Sequence, residues 1–290
     1  ASVNYRDADG ILNGTGFQRL NARLNLTQKA MNDRLTLTFL TAGTFNRSNY
    51  GFNDAWRYAT IYNPTAPIRD ESNPDFEKYG GFYQNVLFDY YNPVAILEQN
   101  VSDGSDSRVN IAIKGAYEII DGLTVDAFYS IQATEELRNQ YYGKESFWQG
   151  ADRNGNARKE SRQRWNQLFE TTANWNTDFG RTNFTLLGGY SFQEFWHEGF
   201  FARGGDFVTD FFEYNNMSAA KEFSDGLGEV DSWKDNSKLI AFFGRVNFNI
   251  DETYFVSASV RQEGSSRFGT GNKWGTFPAA SAGVELANFI

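Results

Sequence analysis

The sequence predicts an all-β fold: an antiparallel up-and-down transmembrane β-barrel, with about ten strands in this chain. Three observations predict it. Apolar and polar residues alternate along most of the chain, the alternating segments are long, and long connections between them alternate with short ones. Strands of soluble proteins average about 5–6 residues, whereas a tilted strand that crosses a membrane needs about 9–11. Most segments here have roughly 12 to 16 residues, which favours a membrane.

Alternation with a period of two places apolar residues on one face of a strand and polar residues on the other. From Gln18 to Gln28, for example, Leu20 and Leu24 alternate with Arg19 and Arg23. Segments of this kind are rich in β-branched and aromatic residues, as strands are. The predicted strands lie at residues 1–8, 17–28, 35–47, 106–119, 123–136, 164–177, 182–197, 238–250, 253–264 and 275–286.

The nine connections indicate the orientation of the sheet. Successive antiparallel strands place every second connection at the same end, so all the short turns lie at one end and all the long loops at the other. Bacterial outer-membrane barrels show this asymmetry, with short periplasmic turns and long extracellular loops. We therefore expect one partial transmembrane barrel domain over residues 1–290, in the cell outer membrane as a multi-pass barrel. Its long extracellular loops are expected at about 48–105, 137–163 and 198–237.

Open edges at both ends of a sheet would be untenable in lipid, where every backbone polar group must be paired. The strands are therefore expected to form part of a larger barrel.

The amino-acid composition narrows the classes of function that the chain could have. Lys and Arg number 27 against 36 Asp and Glu, which argues against a nucleic-acid partner. The chain has no Cys and a single His, His197, so we expect no metal site and no cofactor.

One stretch near the end of the chain resembles a known family. Residues 260–286 contain Glu-Gly-Ser-Ser-Arg-Phe-Gly followed by Trp-Gly-Thr-Phe-Pro. This is similar to a signature of the SusC/RagA-like TonB-dependent outer-membrane transporters, from which the chain departs at Glu263, Ala279 and Val284. Asn92-Pro93-Val94-Ala95 and the strand with Arg19 and Arg23 are further matches.

The resemblance implies a barrel of about 22 strands around an N-terminal plug, with this chain as the middle of the barrel and the plug absent from it. It implies TonB-coupled active import of large nutrients, oligosaccharides or peptides, across the Gram-negative outer membrane. The expected partners are a SusD-like surface lipoprotein, TonB through the missing N-terminal part, the substrate and outer-membrane lipid. A passive porin or structural outer-membrane barrel is the alternative.

Aromatic residues crowd the long loops, where flat rings with polar handles suit sugar rings or peptide side chains. The preferred substrate-binding residues are Trp56, Tyr83, Tyr90 and Trp148. The alternative is that these rings form small loop cores or contact a lid protein. Arg19, Arg23 and Arg261 on polar strand faces are expected to contact the plug or to form a solvated lumenal wall.

Four tryptophans near predicted strand ends are expected to form the aromatic girdle at the membrane interface: Trp165, Trp175, Trp196 and Trp274. An enzyme embedded in the outer membrane is a further class to weigh. It would need acid and base residues at the outer rim, and the single His197 makes a poor basis for one. The chain is therefore expected not to be an enzyme.

Overall fold

The structure is a computed structural model and describes residues 1–85, 87 and 89–289. The strands are β1 Ser2–Asp9, β2 Gly16–Ala30, β3 Leu35–Asn49, β4 Asn100–Ile120, β5 Leu123–Tyr142, β6 Asn156–Phe179, β7 Thr182–Gly205, β8 Glu229–Ile250, β9 Tyr254–Ser265 and β10 Trp274–Val284. The α-helices are α1 Asp54–Ile61, α2 Pro93–Glu98 and α3 Lys221–Ser224. Short 3₁₀ turns lie at Pro74–Tyr79, Ala151–Arg153, Glu213–Asn215, Met217–Ala219 and Leu286–Phe289.

All ten strands form one sheet in chain order, and each pairs antiparallel with the next. This confirms the predicted up-and-down fold. One end of the sheet, the turn end, carries connections of two to four residues, at 31–34, 121–122, 180–181 and 251–253. The opposite loop end carries the connections 10–15, 50–99, 143–155, 206–228 and 266–273. The parity of long and short connections is therefore as the sequence predicted.

The turns use residues that tolerate a left-handed backbone. Gly122 closes the β4–β5 turn with φ +79°, and Asn32 and Asp33 have φ 56° and 67° in the β2–β3 turn. Asn and Asp adopt this conformation more readily than other residues with a side chain, because their short polar groups bond locally. These turns keep the hairpins tight and fix the strand register.

The register sorts the side chains into two faces, because residues directly opposite each other on neighbouring strands point the same way. One row of the polar face runs through Arg19, Asn46, Asp106, Glu136 and Arg162. One row of the apolar face runs through Leu26, Phe39, Ile113, Tyr129, Phe169, Phe192 and Ile240.

No second sheet covers the apolar face in the described part of the chain, and its large side chains are exposed, Phe242 by 51%. An exposed apolar area of this extent requires a nonaqueous neighbour. Buried residues gather instead at the loop end. One cluster contains Phe52, Ala55, Tyr58, Ile96 and Trp148. A second contains Tyr141, Ala157, Phe207 and Ala220.

The strands extend further toward the loop end than predicted, so the loop bounds need correction. The stretch predicted as loop 137–163 shrinks to 143–155, 198–237 shrinks to 206–228, and 48–105 shrinks to 50–99. The extensions lie outside the predicted strands because apolar and polar residues do not alternate in them, as at Arg158, Lys159 and Glu160 of β6. Hydrogen bonding continues along the ladder after the apolar alternation has ended.

Helices in the described residues are all short, and none has the length and apolarity to cross a membrane.

Candidate functional site

The loop 50–99 folds as an ordered layer at the loop end. Its helix α1 turns Ala55 and Tyr58 into the buried cluster and leaves Trp56 58% exposed on the opposite side. The phenyl ring of Phe52 meets the Trp148 indole edge-on at 5.0 Å between centroids. Because Trp148 belongs to the connection 143–155, this contact joins two neighbouring loops into one cap.

Asn92 is the polar centre of this loop and is 1% exposed. Its side-chain oxygen accepts hydrogen bonds from the backbone N–H groups of Val94 and Ala95, which caps helix α2, with Pro93 at the first helical position. Its side-chain amide donates to the backbone carbonyls of Ile68 and Tyr83, at 2.9 and 3.0 Å. Pro at the first helical position loses no bond, so the Asn-Pro pair both starts the helix and ties together distant loop segments.

Two of the predicted substrate residues come together through Tyr62. The Tyr62 and Tyr90 rings stack at 5.0 Å with an interplanar angle of 16°, and the Tyr62 hydroxyl donates to the carbonyl oxygen of Tyr83 at 3.2 Å. The backbone N–H of Asn63 donates to the Tyr90 hydroxyl at 2.6 Å. Burial raises the pKa of Tyr62 to about 12. Tyr62 is not among the substrate-binding residues predicted from the sequence. Its position directly after helix α1 is the signal in the sequence that could have identified it.

An ionic contact braces the same loop. The Tyr58 hydroxyl donates to the Asp89 carboxylate at 2.5 Å, and Arg57 forms a salt bridge with the other oxygen of that carboxylate. These two hydrogen bonds, from Tyr58 first and Arg57 second, lower the pKa of Asp89. Burial, followed by the bond to Asp89, raises the pKa of Tyr58 to about 12. The neutral phenol is therefore the form that the folded loop stabilises.

Trp148 is buried, whereas a substrate-binding residue would be exposed. Its side chain is 8% exposed and packs edge-on against Phe52 and Tyr142. The loop-core role that the sequence left open as the alternative therefore describes its surroundings. Tyr83 is partly buried against Phe76, with 4.9 Å between ring centroids, so of the four predicted residues Trp56 presents the most ring surface.

Loop 206–228 packs around the strand ends from the other side of the sheet. Tyr141 and Tyr142 are neighbours on β5 and point to opposite faces: Tyr142 packs in the cluster with Phe52, and Tyr141 packs against Phe207. The Tyr141 hydroxyl donates to Asp210 at 2.6 Å. Loop 50–99 therefore lies on the polar-face side and loop 206–228 on the apolar-face side above the exposed band. Loop 143–155 contacts both, through Trp148 on one side and Lys144 and Asn154 on the other.

An ion pair joins loops 143–155 and 206–228. Arg153 pairs with the Glu222 carboxylate, which also accepts the backbone N–H of Gly205 at 2.7 Å. The hydrogen bond from Arg153 is the main cause that lowers the pKa of Glu222. The Glu222 side chain is only 14% exposed, so the pair is shielded from solvent on most sides and fixes the loops relative to each other.

The three arginines predicted to face the lumen share the polar face. The ladder register carries the row of Arg261 across the sheet to Lys29 on β2, which points to the same face as Arg19 and Arg23. The Arg19 Nε donates to Asn46 at 2.7 Å, and Asn46 donates in turn to Asp106 at 2.9 Å. Arg261 pairs with Glu263, two residues along β9, at 2.7 Å. Their contact with a plug stays a prediction.

The four predicted girdle tryptophans all lie on the apolar face. Trp165 and Trp196 are directly opposite each other on β6 and β7, with centroids 6.5 Å apart. Trp274 starts β10 at the same loop end and stacks near Phe242. Trp175 lies toward the turn end, next to Phe184 at 6.0 Å. The structure therefore divides the four between two levels.

The separation of these levels matches a membrane. Trp165 and Trp175 are ten residues apart on the same face of β6. At about 3.3 Å per residue this is about 33 Å along the strand. A strand tilt of about 45° reduces that to a height of about 23 Å, close to the apolar band of about 25 Å in outer-membrane barrels.

His197 lies on the polar face of β7, directly opposite Arg164 and 3.7 Å from the Asp235 carboxylate. Within the described residues, no group of three or more His, Cys, Asp or Glu is arranged to hold a metal ion.

Comparison with known proteins decides the relationship. The chain is 30% identical over 204 residues to TonB-dependent receptor P3 of Formosa agariphila, covering 70% of the chain and 20% of that protein. It is 24% identical over 321 residues to TonB-dependent receptor SusC of Bacteroides thetaiotaomicron, covering all of the chain and 30% of that protein. The chain is a homologue of the SusC/RagA-like TonB-dependent receptors. No family model matches it.

The fold agrees with this homology. The structure of the RagAB peptide transporter superposes with a TM-score of 0.78 over 99% of the chain and 32% of that protein, at 17% identity. The ten-stranded sheet is therefore the wall of a TonB-dependent β-barrel, which confirms the predicted fold class. The chain spans about 20 to 30% of the length of the curated relatives that it matches.

Proposed function

We propose that the chain is part of a receptor that imports large nutrients across the Gram-negative outer membrane, with energy delivered by TonB. The single observation that carries this proposal is sequence similarity over the whole chain to TonB-dependent receptors, SusC among them. In this proposal the apolar face contacts outer-membrane lipid and the polar face lines a lumen that a plug fills. The long loops face the cell exterior.

The loop cap is the proposed first contact with cargo. Its exposed Trp56 and the stacked pair Tyr62 and Tyr90 offer rings on the loop end of the barrel. Flat rings with polar edges suit oligosaccharides and peptides alike. A SusD-like surface lipoprotein is the proposed companion at this end, and TonB would act through an N-terminal part that lies outside this chain.

Uptake measurements test the proposal. Cells that produce the complete receptor should accumulate a labelled nutrient when TonB is present and fail to do so when it is deleted. The purified receptor should leave liposomes closed to small sugars, because a plug blocks the lumen. Accumulation that is indifferent to TonB, together with rapid liposome swelling, would support a passive porin and contradict the proposal.

A separate experiment tests the proposed partner lipoprotein. The receptor is solubilised from outer membranes in detergent, and the proteins that co-purify with it are identified. A surface lipoprotein in stoichiometric amount is the expected result. A receptor that purifies alone under conditions in which nutrient uptake persists would contradict the proposed partner.

A further inference from the structure

The polar face just below the loop cap is unusually rich in arginine. The five polar-face rows of β2 to β6 nearest the loop end contain six arginines and three carboxylates. The arginines are Arg19, Arg108, Arg138, Arg158, Arg162 and Arg164, and the carboxylates are those of Asp106, Glu136 and Glu160. The patch therefore has an excess of three positive charges in a chain whose net charge is −9.

The centre of the patch is a buried glutamate between arginines. The side chain of Glu160 is 8% exposed; Arg158 contacts one of its oxygens at 3.1 Å and Arg162 the other at 2.5 Å. Arg138 lies directly opposite Glu160 on β5. One carboxylate thus faces three guanidinium groups. No described carboxylate forms a salt bridge with Arg138, so its N–H donors are free for a ligand.

Aromatic rings hold two of these guanidinium groups in place. Arg138 lies over the Tyr50 ring at 4.1 Å, and Arg158 lies over the Phe201 ring at 3.9 Å. Stacking occupies the flat face of a guanidinium and leaves its N–H edges available. Those edges match the two oxygens of a carboxylate, which they can bind through paired hydrogen bonds.

A concavity of about 250 Å³ lies at this point, between Tyr50, Arg138, Gln140, Arg158, Glu160 and Arg162. Its other described lining residues are Ser102, Asp103 and Asn139, and none of the nine is aliphatic. Asp103 accepts hydrogen bonds from Asn139 and Tyr214, so that its charge is already engaged. The lining offers hydroxyl, amide and guanidinium groups, which suit a ring that bears hydroxyls and a carboxylate.

We propose that Arg138, Arg158 and Arg162 form a subsite for a uronic-acid residue of an oligosaccharide cargo. This inference rests on the proposed import function and deepens it by naming a substrate class. A peptide would bring apolar side chains, for which the described lining has no aliphatic partner. A sugar carboxylate would instead take up the free N–H donors of Arg138 and balance the local excess of positive charge.

The test uses the complete receptor in detergent and calorimetric titration with trigalacturonate. Its fully methyl-esterified form is the neutral control with the same rings. Trigalacturonate is expected to bind, and the ester to bind at least about tenfold more weakly. Arg138→Gln is expected to weaken trigalacturonate binding about tenfold, with partial rescue by Arg138→Lys. Arg47→Gln is the matched control, because Arg47 is an exposed arginine on the opposite face of the neighbouring region of the sheet.

Equal binding of both sugars, binding of neither, or an equal loss in the Arg47 variant would overturn the subsite. Preferential binding of triglutamate would overturn it in favour of a peptide carboxylate. These outcomes are separate from the import function. TonB-dependent uptake of another nutrient would leave import standing without the subsite, and trigalacturonate binding without TonB-dependent uptake would leave the subsite standing without import.

Discussion

The side-chain amide of Asn92 donates a hydrogen bond to the backbone carbonyl oxygen of Tyr83 over 3.0 Å. This bond connects the start of helix α2 to a strand-like segment nine residues earlier in the chain. The same amide reaches Ile68, so that one buried side chain holds three parts of loop 50–99 together. The aromatic surface proposed to meet cargo therefore rests on a polar anchor below it.

Removing that anchor should loosen the loop without disturbing the sheet. Asn92→Ala deletes four side-chain hydrogen bonds and leaves the backbone N–H groups of Val94 and Ala95 without their side-chain acceptor, at a cost of about 1–3 kcal/mol. Hydrogen exchange of loop 50–99 should accelerate while exchange in β4 and β5 stays slow. Asn53→Ala is the control, since Asn53 precedes helix α1 but makes no side-chain cap bond. Equal effects of the two changes would contradict the anchoring role.

Tyr58 should ionise at unusually high pH. Its folded pKa of about 12 exceeds the ordinary value of about 10, so the loop gains stability below pH 10 that it loses as the pH rises toward 12. The ultraviolet titration difference between the unsubstituted receptor and Tyr58→Phe isolates this phenol. A step near pH 12 is expected, and a step near pH 10 would show that Tyr58 is not held as described.

The Arg153–Glu222 pair should make the packing of loop 206–228 acid-sensitive. The pKa of Glu222 is lowered in the folded loop, so its stabilising contribution is present above the ordinary value of about 4.3 and disappears as the pH falls through the folded value. The Gly205 amide donates a hydrogen bond to Glu222, so its protection from hydrogen exchange should fall over the same pH range.

Glu222→Gln should lower that protection at neutral pH and remove its acid dependence. Asp225→Asn serves as the control, because Asp225 pairs with Lys221 at the surface and exposed pairs contribute little. If Asp225→Asn exposed the Gly205 amide as strongly as Glu222→Gln, the loops would be joined by something other than this buried pair.

A charge on the apolar face should destabilise the wall far more than one on the polar face. Leu24 shares a row with Ile111 and Ile131, whereas Asn25, its neighbour, points to the other face. Leu24→Arg is expected to cost about 2–4 kcal/mol near the bilayer midplane, and Asn25→Arg much less. The unfolding free energy of the complete receptor in lipid measures both, and equal penalties would contradict the assignment of faces.

The sequence predicted the strands where one face is apolar and the other polar, as along β2, because that contrast has a period of two. It did not predict the strand extensions at the loop end, such as Arg158–Glu160 of β6, where both faces carry polar residues and the contrast disappears. Backbone hydrogen bonds continue the ladder there, and they leave no pattern in the side chains.

The site was predictable in composition more than in arrangement. Aromatic crowding identified the loops, but which ring is buried depends on contacts between distant segments. Trp148 is covered by Phe52, about a hundred residues earlier in the chain. No local sequence pattern predicts that contact. Asn92-Pro93 is readable as a helix start, whereas its bonds to Ile68 and Tyr83 depend on how the loop closes.

Spin labels on two neighbouring residues of β2 test most directly that lipid surrounds this wall. The chain has no cysteine of its own, so Leu26→Cys and Thr27→Cys each give one labelling position here, in a complete receptor kept free of other cysteines. In lipid bilayers, the label at position 26 should be relaxed by dissolved oxygen and shielded from a water-soluble nickel chelate. The label at position 27 should be far less accessible to oxygen. Equal relaxation at both positions, or preferential access of the chelate at position 26, would contradict the account.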